Sequence, residues 1–248
     1  MKLENKTILI TGGGSGIGLE LAKILSKQAN KVIICGRDEE KLKKGVSEIQ
    51  KGEYIVCDIT KEKDVLDLYE NIKKNFPSLS ILINNAGLGF AYTANDPKLF
   101  QKASIEMETN YLGAIRLNEI FLPFLLNQNE AAIVHITSPL ALAPSFSLPT
   151  YSASKAALRS YTTWLRRRME GTTVRIFEAV PPVVDTALAG SLGTKNKMDA
   201  TSVARAIVKG IQRNKPVIKI GIIKALFVLN RFIPGLAQRI INDVTQLK

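Results

Sequence analysis

Short β-branched runs alternate with amphipathic stretches along most of this chain, and that alternation limits its architecture more than any other feature. Residues 7–10 read as a strand, 17–29 as a helix with Ile17, Leu21, Ile24 and Leu25 at helical spacing, and 31–35 as a strand again. The pattern continues with helices over 38–50, 61–75, 97–127 and 151–170 and strands over 53–57, 79–83, 131–137 and 173–180. Strands that are almost wholly apolar and separated by helices need cover on both faces. No Gly/Ser linker, repeat or low-complexity tract divides the chain. The expected fold is therefore α/β: one doubly wound domain over 1–248, with a mostly parallel sheet, helices on both faces, and ligands bound where the strands end.

Composition agrees with a folded globular protein, at 46% hydrophobic and 23% charged residues, and 248 residues suffice for one large core. The net charge of +12 admits nucleic acid, an anionic membrane surface or anionic small molecules as partners. Aromatics at 6% and the lack of a zinc-finger or RNA-recognition signature argue against nucleic acid. Cys35 and Cys57 lie in separate apolar runs without metal-ligand or CxxC spacing, so they are expected to be buried free thiols in a reducing compartment, and no metal site is expected. The N-terminus does not fit a signal peptide. The longest uncharged stretch, 131–154, contains Pro139, Pro144 and Pro149 and so cannot be an uninterrupted membrane helix, which leads to a cytoplasmic assignment.

Between the first strand and first helix lies TGGGSGIG, residues 11–18. Gly12, Gly16 and Gly18 allow a tight turn and close backbone approach to a pyrophosphate at the helix N-terminus, with Gly14, Ser15 and Ile17 in the same turn; a dinucleotide is the expected ligand. At the end of the second strand stand Gly36 and Arg37 in place of a carboxylate. A guanidinium there can grip a ribose 2′-phosphate, so NADP(H) is favoured, with NAD(H) as the alternative because Asp38 follows directly. Asp58, followed by Ile59, is placed either to accept from the adenine amino group or to close a turn. Tyr151 and Lys155 fall one helical turn apart, thirteen positions and more after the strand-end Ser138.

Together with Asn84-Asn85-Ala86-Gly87 and Asn110, these motifs make the chain resemble the short-chain dehydrogenase/reductase family over nearly its whole length. With ICGR at 34–37 and EAAIVHITS at 130–138 it is similar to the subgroup associated with lipoteichoic acid D-alanylation operons. The resemblance implies a Rossmann-type domain with seven strands. It implies Tyr151 as general acid/base, Ser138 as the hydroxyl that orients the carbonyl, Lys155 as the cation that holds the ribose and lowers the Tyr151 pKa, and Asn110 as the residue that continues the proton relay. Asn85, Ala86 and Gly87 would border the cofactor, and Val184 and Thr186 would meet the nicotinamide carboxamide. In the segment 181–186 Pro182 stands where the family commonly has glycine, which removes a backbone donor there. A dimer or tetramer through the helices at 97–127 and 151–170 is the family analogy.

His135, the one histidine, is expected to be structural, since its odd offset from Ser138 points it to the opposite sheet face. Tyr161 and Trp164 are expected in packing or subunit contacts. The stretches 88–93 and 139–148 offer Leu88, Phe90, Leu140, Leu142, Phe146 and Leu148 without a charge, so the substrate is expected to be a hydrophobic carbonyl compound or secondary alcohol. Residues 187–198 form either a lid or an ordinary connection. After a helix over 199–213 and an edge strand over 216–220, the last apolar segment is expected to form one C-terminal helix. It either covers the pocket or a subunit interface, or lies on a membrane with Phe227 and Phe232 inserted. The alternative to an enzyme is a non-catalytic NADP-binding regulatory or membrane-peripheral protein on the same fold. The charge is unevenly placed: 23 basic and 20 acidic residues lie up to Thr194, against 11 and 2 from Lys195 onward.

Overall fold

In the computed structural model, which describes residues 1–93, 95–184 and 197–245, seven strands form one sheet: β1 (Thr7–Thr11), β2 (Lys31–Gly36), β3 (Gly52–Val56), β4 (Leu79–Asn84), β5 (Ala131–Ile136), β6 (Val174–Val180) and β7 (Val217–Lys219). Their order is β3-β2-β1-β4-β5-β6-β7, and every pairing is parallel. The expectation of a mostly parallel sheet is thus sharpened to a wholly parallel one, because the edge strand β7 also arrives by a helical crossover. The order reverses between β1 and β4, and a crevice opens at the carboxyl ends of strands on either side of such a switch point.

The crossover helices follow the predicted periodicities. They are α1 (Gly16–Ser26), α2 (Glu39–Ser47), α3 (Glu62–Asn75), α4 (Leu99–Met107), α5 (Gly113–Leu126), α6 (Pro149–Arg168) and α7 (Ala200–Gln212). One apolar cluster fills the sheet face under α1 and α7, joining Leu21, Leu25, Ile8, Ile10, Val203 and Ile207. A second fills the other face under α3 and α5, joining Leu9, Ile33, Val65, Leu68, Leu117 and Phe121. Burying an aliphatic side chain of this size contributes about 1.5–3 kcal/mol. Cys35 and Cys57 are buried and unpaired.

Two predicted helices prove to be compound. The stretch 97–127 contains a π-helical turn, Glu108–Leu112, between α4 and α5. Such a turn inserts one residue into the i→i−4 ladder and is common at functional sites; here it holds Asn110. The single C-terminal helix expected from the sequence is two, α8 (Ile223–Phe232) and α9 (Pro234–Val244). Pro234 cannot continue α8 because it lacks an amide hydrogen, but its fixed φ suits the first turn of α9. Both helices pack on a third cluster in which Ile223, Leu226, Ala237 and Ile241 meet Leu140, Leu148 and Tyr151.

Candidate active site

The turn after β1 is held by backbone geometry. Gly12 and Gly16 have φ of +63° and +54°, a region in which a side chain is strained. The Gly12 amide donates to the Cys35 carbonyl at 2.8 Å. A Cβ at Gly18 would stand 2.5 Å from both the Gly12 carbonyl oxygen and the Asn85 side-chain nitrogen, so this glycine is required by close packing. Ser15, the N-cap of α1, is extended and makes no side-chain cap bond. The first-turn amides of an α-helix have no partner within it, so α1 presents unclaimed donors and its positive dipole end here.

Asn85 ties this turn to the end of β4. Its side-chain amide donates to the carbonyls of Thr11 and Gly12 at 2.9 and 3.1 Å. The Thr11 hydroxyl accepts from the backbone amides of Asn85 and Ala86, both at 3.0 Å. The two sides of the switch point are therefore one hydrogen-bonded unit.

A cavity of about 330 Å³ lies across the carboxyl ends of β1, β4, β5 and β6. From the turn it takes Gly12, Ser15, Gly16 and Ile17, and from the end of β4 it takes Asn85, Ala86 and Gly87. Ser138, Tyr151 and Lys155 line its middle, and Val184 stands at its far side. The sequence-predicted residues outside its lining have other positions. Gly14 packs against the Lys41 backbone. Arg37 is exposed just beyond β2. Asp58 closes a turn, accepting from the Thr60 amide and hydroxyl at 3.1 and 2.8 Å. Ile59 is buried beside Gly113, and its carbonyl accepts from Arg116. Thr186 and residues 187–196 of the expected lid lie outside the described residues.

Ser138 follows β5 in extended conformation and accepts the Leu140 amide at 3.2 Å, capping a 3₁₀ turn, Pro139–Ala141. Tyr151 lies in the first turn of α6, and Lys155 one turn on. The Lys155 ammonium donates to the Ile136 carbonyl at 2.9 Å and lies 5.8 Å from the Tyr151 ring centroid. Burial of Tyr151 opposes the expected lowering of its pKa. Burial pushes the phenol up to about 12, the Ser138 hydrogen bond opposes this, and the Glu106 carboxylate adds to it. Burial likewise brings Lys155 down to about 8. Both shifts have the same origin: a low-dielectric site disfavours the charged form of each group.

Asn110 is placed one layer behind. Its side-chain oxygen accepts the Leu88 amide at 2.9 Å, and its nitrogen donates to the Leu88 carbonyl at 2.8 Å and to Ser154 at 2.9 Å. The side chain thereby fixes the loop after β4 to α6.

Glu106 was not singled out from the sequence. It is fully buried and accepts from the Phe90 amide at 2.7 Å, from the Tyr92 hydroxyl at 3.0 Å and from the Thr150 hydroxyl. A carboxylate one helical turn before Asn110, hence on the same face, was the available signal. The pocket wall differs from expectation too. Leu140 and Leu148 line the cavity, but Leu88, Phe90, Leu142 and Phe146 do not, and Phe146 is 73% exposed. Their places are taken by Ile241, Val244 and Thr245 of the C-terminal arm, which is held by a 2.7 Å bond between Ser145 and Thr245.

His135 is structural, as expected. Its Nε2 meets the Asn118 amide at 2.9 Å and its Nδ1 the Thr162 hydroxyl at 2.8 Å. Thr162 also donates to the Leu158 carbonyl at 2.6 Å, so Nδ1 carries the proton. Burial lowers its pKa to about 3. Tyr161 and Trp164 pack on each other at 5.6 Å between centroids, with Trp164 half-exposed.

The sequence pattern of the family described as short chain dehydrogenase matches residues 6–197. The chain is 42% identical over 190 residues to the uncharacterized oxidoreductase DltE of Bacillus subtilis, covering 76% of this chain and 75% of that protein. Its structure resembles a short chain dehydrogenase from Burkholderia cenocepacia in complex with NADP, with a TM-score of 0.85, 24% identity and coverage of 97% and 99%. It also resembles a short chain dehydrogenase/reductase from Burkholderia phymatum in complex with NAD, with a TM-score of 0.83, 22% identity and coverage of 100% and 99%. With a Rossmann-type fold, the ordered motifs and a family match across most of its length, the chain belongs to the short chain dehydrogenase family.

Proposed function

We propose that this protein is an NADP(H)-dependent oxidoreductase that interconverts a hydrophobic carbonyl compound and its secondary alcohol. The observation that carries the reading is one cavity with the open helix N-terminus at one end, Ser138, Tyr151 and Lys155 at its centre, and Leu140, Leu148, Ile241 and Val244 as apolar wall. The turn fits a dinucleotide pyrophosphate, because Gly12 and Gly16 keep it free of side chains and α1 aims its amides into it. When bound, the reduced dinucleotide supplies a hydride to the carbonyl carbon.

The protein's own part is orientation and proton transfer. Ser138 donates to the carbonyl oxygen and fixes its position. Tyr151 holds its proton at neutral pH and delivers it to that oxygen as charge develops there. Lys155 has donor capacity beyond its bond to Ile136, enough to hold the ribose and to stabilise the phenolate that remains. Asn110 continues the proton path from Lys155. Preference for the 2′-phosphate follows from Arg37, which is exposed, while Asp38 is turned into the start of α2 by the Lys41 amide and ammonium at 3.1 and 2.9 Å. Asp58 offers its carboxylate to the adenine, and Ile59, Val184 and Thr186 complete the cofactor contacts.

Exposed Phe100, Ile105, Leu112 and Trp164 along α4, the π-helical turn and α6 supply an apolar face for a homodimer or homotetramer. The test of the function is consumption of NADPH and NADH measured side by side over aldehydes, ketones, diketones and 3-oxoacyl thioesters. Turnover of apolar carbonyls with NADPH ahead of NADH is the expected result. Unchanged turnover in Tyr151→Phe would sink the mechanism.

A further inference from the structure

The C-terminal arm leaves a surface that the cavity does not use. Among the described residues 16 large apolar side chains are exposed, and seven of them fall between Ile222 and Val244. Helix α8 buries Ile223 and Leu226 and turns Val228 and Phe232 outward, at 59% and 73% exposure. Helix α9 buries Ala237 and Ile241 and leaves Leu236 and Ile240 in solvent. Since both helices bury against one cluster, their outer faces look away from the same core. A patch of this kind on a folded protein marks a contact surface. Phe227 is not part of it: its ring is half-buried between the Lys219 and Arg159 cations, at 4.0 and 4.9 Å.

Charge selects the occupant. Lys224, Arg231 and Arg239 are exposed beside the apolar residues, and Asp243 is the one acidic residue on the two helices. In a two-fold contact between copies each patch meets itself, so these cations would face like charge with little to offset it. An anionic bilayer supplies the missing counter-charge and an apolar layer just beneath it. No helix among the described residues is long and apolar enough to cross a membrane, and the break at Pro234 leaves two short helices suited to lying in the interface.

We propose that the outer face of α8 and α9 docks this protein on an anionic lipid surface, with Phe232 and Leu236 entering the acyl boundary and Lys224, Arg231 and Arg239 meeting the headgroups. Val244, which both lines the cavity and is part-exposed, places the cavity rim beside this face. Docking does not depend on the reaction proposed above.

Flotation of the full chain with phosphatidylglycerol/phosphatidylcholine vesicles, and with phosphatidylcholine alone, tests it. The wild type is expected to float with the anionic vesicles and to be released by salt. Lys224→Gln, Arg231→Gln and Arg239→Gln combined should weaken binding about a hundredfold, at about fivefold per cation. Phe232→Glu with Leu236→Glu should weaken it by about tenfold or more. Turnover in solution, with water-soluble carbonyls and no vesicles, should be unchanged in both variants and reports on the enzyme reading separately. Absence of flotation with anionic vesicles overturns the proposal, as does equal flotation of wild type and both variants. A solution dimer that Phe232→Glu dissociates, without any flotation, overturns it in favour of a second copy as the occupant.

Discussion

The dinucleotide-fold core and the C-terminal arm solve different problems with the same apolar residue types. The core, through Val184, buries its central strands on both faces and links polar side chains inside it, as in the Asn84, Asn118, His135 and Thr162 chain. The arm, from Ile222 to Val244, buries one side of each helix and exposes apolar residues on the other. The family pattern ends at residue 197, ahead of the arm, and 11 of the 34 basic residues lie from Lys195 onward against two of the 22 acidic ones. The candidate catalytic residues Ser138, Tyr151 and Lys155 lie in the core, where positions are fixed by many neighbours. The arm supplies a wall of the cavity and an outer surface, so its outer residues can change without disturbing the reaction.

Substitutions can break or sharpen that contrast. Tyr151→Phe should lower kcat/KM by about 10²–10⁴, the usual worth of a positioned proton donor, while NADPH binding followed by fluorescence stays close to wild type. Next in size is His135→Ala, expected to cost about 2–5 kcal/mol in denaturant melts because it opens a core site and removes one buried hydrogen bond each from Asn118 and Thr162. The same residue sets an acid limb. Folding holds His135 near 3 against an ordinary value of about 6.5, so the unfolded chain binds the extra proton between them. Its stabilisation is complete above the ordinary value and is lost as pH falls, by up to about 1.4 kcal/mol per pH unit, a slope that His135→Ala should lack.

Arg37→Ala should weaken NADPH by about tenfold to a hundredfold, the range of a charge-assisted hydrogen bond to a phosphate, and leave NADH unchanged. Titration of both cofactors against the variant checks it. Glu106→Gln removes a negative charge that favours the protonated phenol of Tyr151, so the alkaline limb of the reduction rate should move to lower pH. A fixed limb would assign Glu106 to loop anchoring alone. Smallest should be Phe232→Glu and Leu236→Glu, within about 0.5 kcal/mol in stability, as exposed sites usually are.

Local patterns made much of the site legible. The glycine turn, Asn85, Ser138, Tyr151 and Lys155 are written in short motifs whose spacing matches one turn or one helix, and the structure gathers them in or around one cavity. Residues that act through long-range contacts were harder to read. Glu106 reaches Tyr92 and Thr150 across 14 and 44 positions, and Ser145 meets Thr245 across 100. The apolar loop residues divide for the same reason: Leu148 and Phe146 are two positions apart, yet one lines the cavity and the other stands in solvent.

By itself the sequence determined the α/β alternation, the parallel sheet, the glycine turn between β1 and α1 and the candidate site residues Ser138, Tyr151 and Lys155, because periodicity and short spacing are local properties of a chain. Only the tertiary structure decided that Asn110 sits in a π-helical turn, that Tyr151 is buried deeply enough to push its phenol up, and which apolar residues of the arm face the cavity or the solvent. Those outcomes depend on which elements pack together, and packing is set by contacts between residues far apart in the chain.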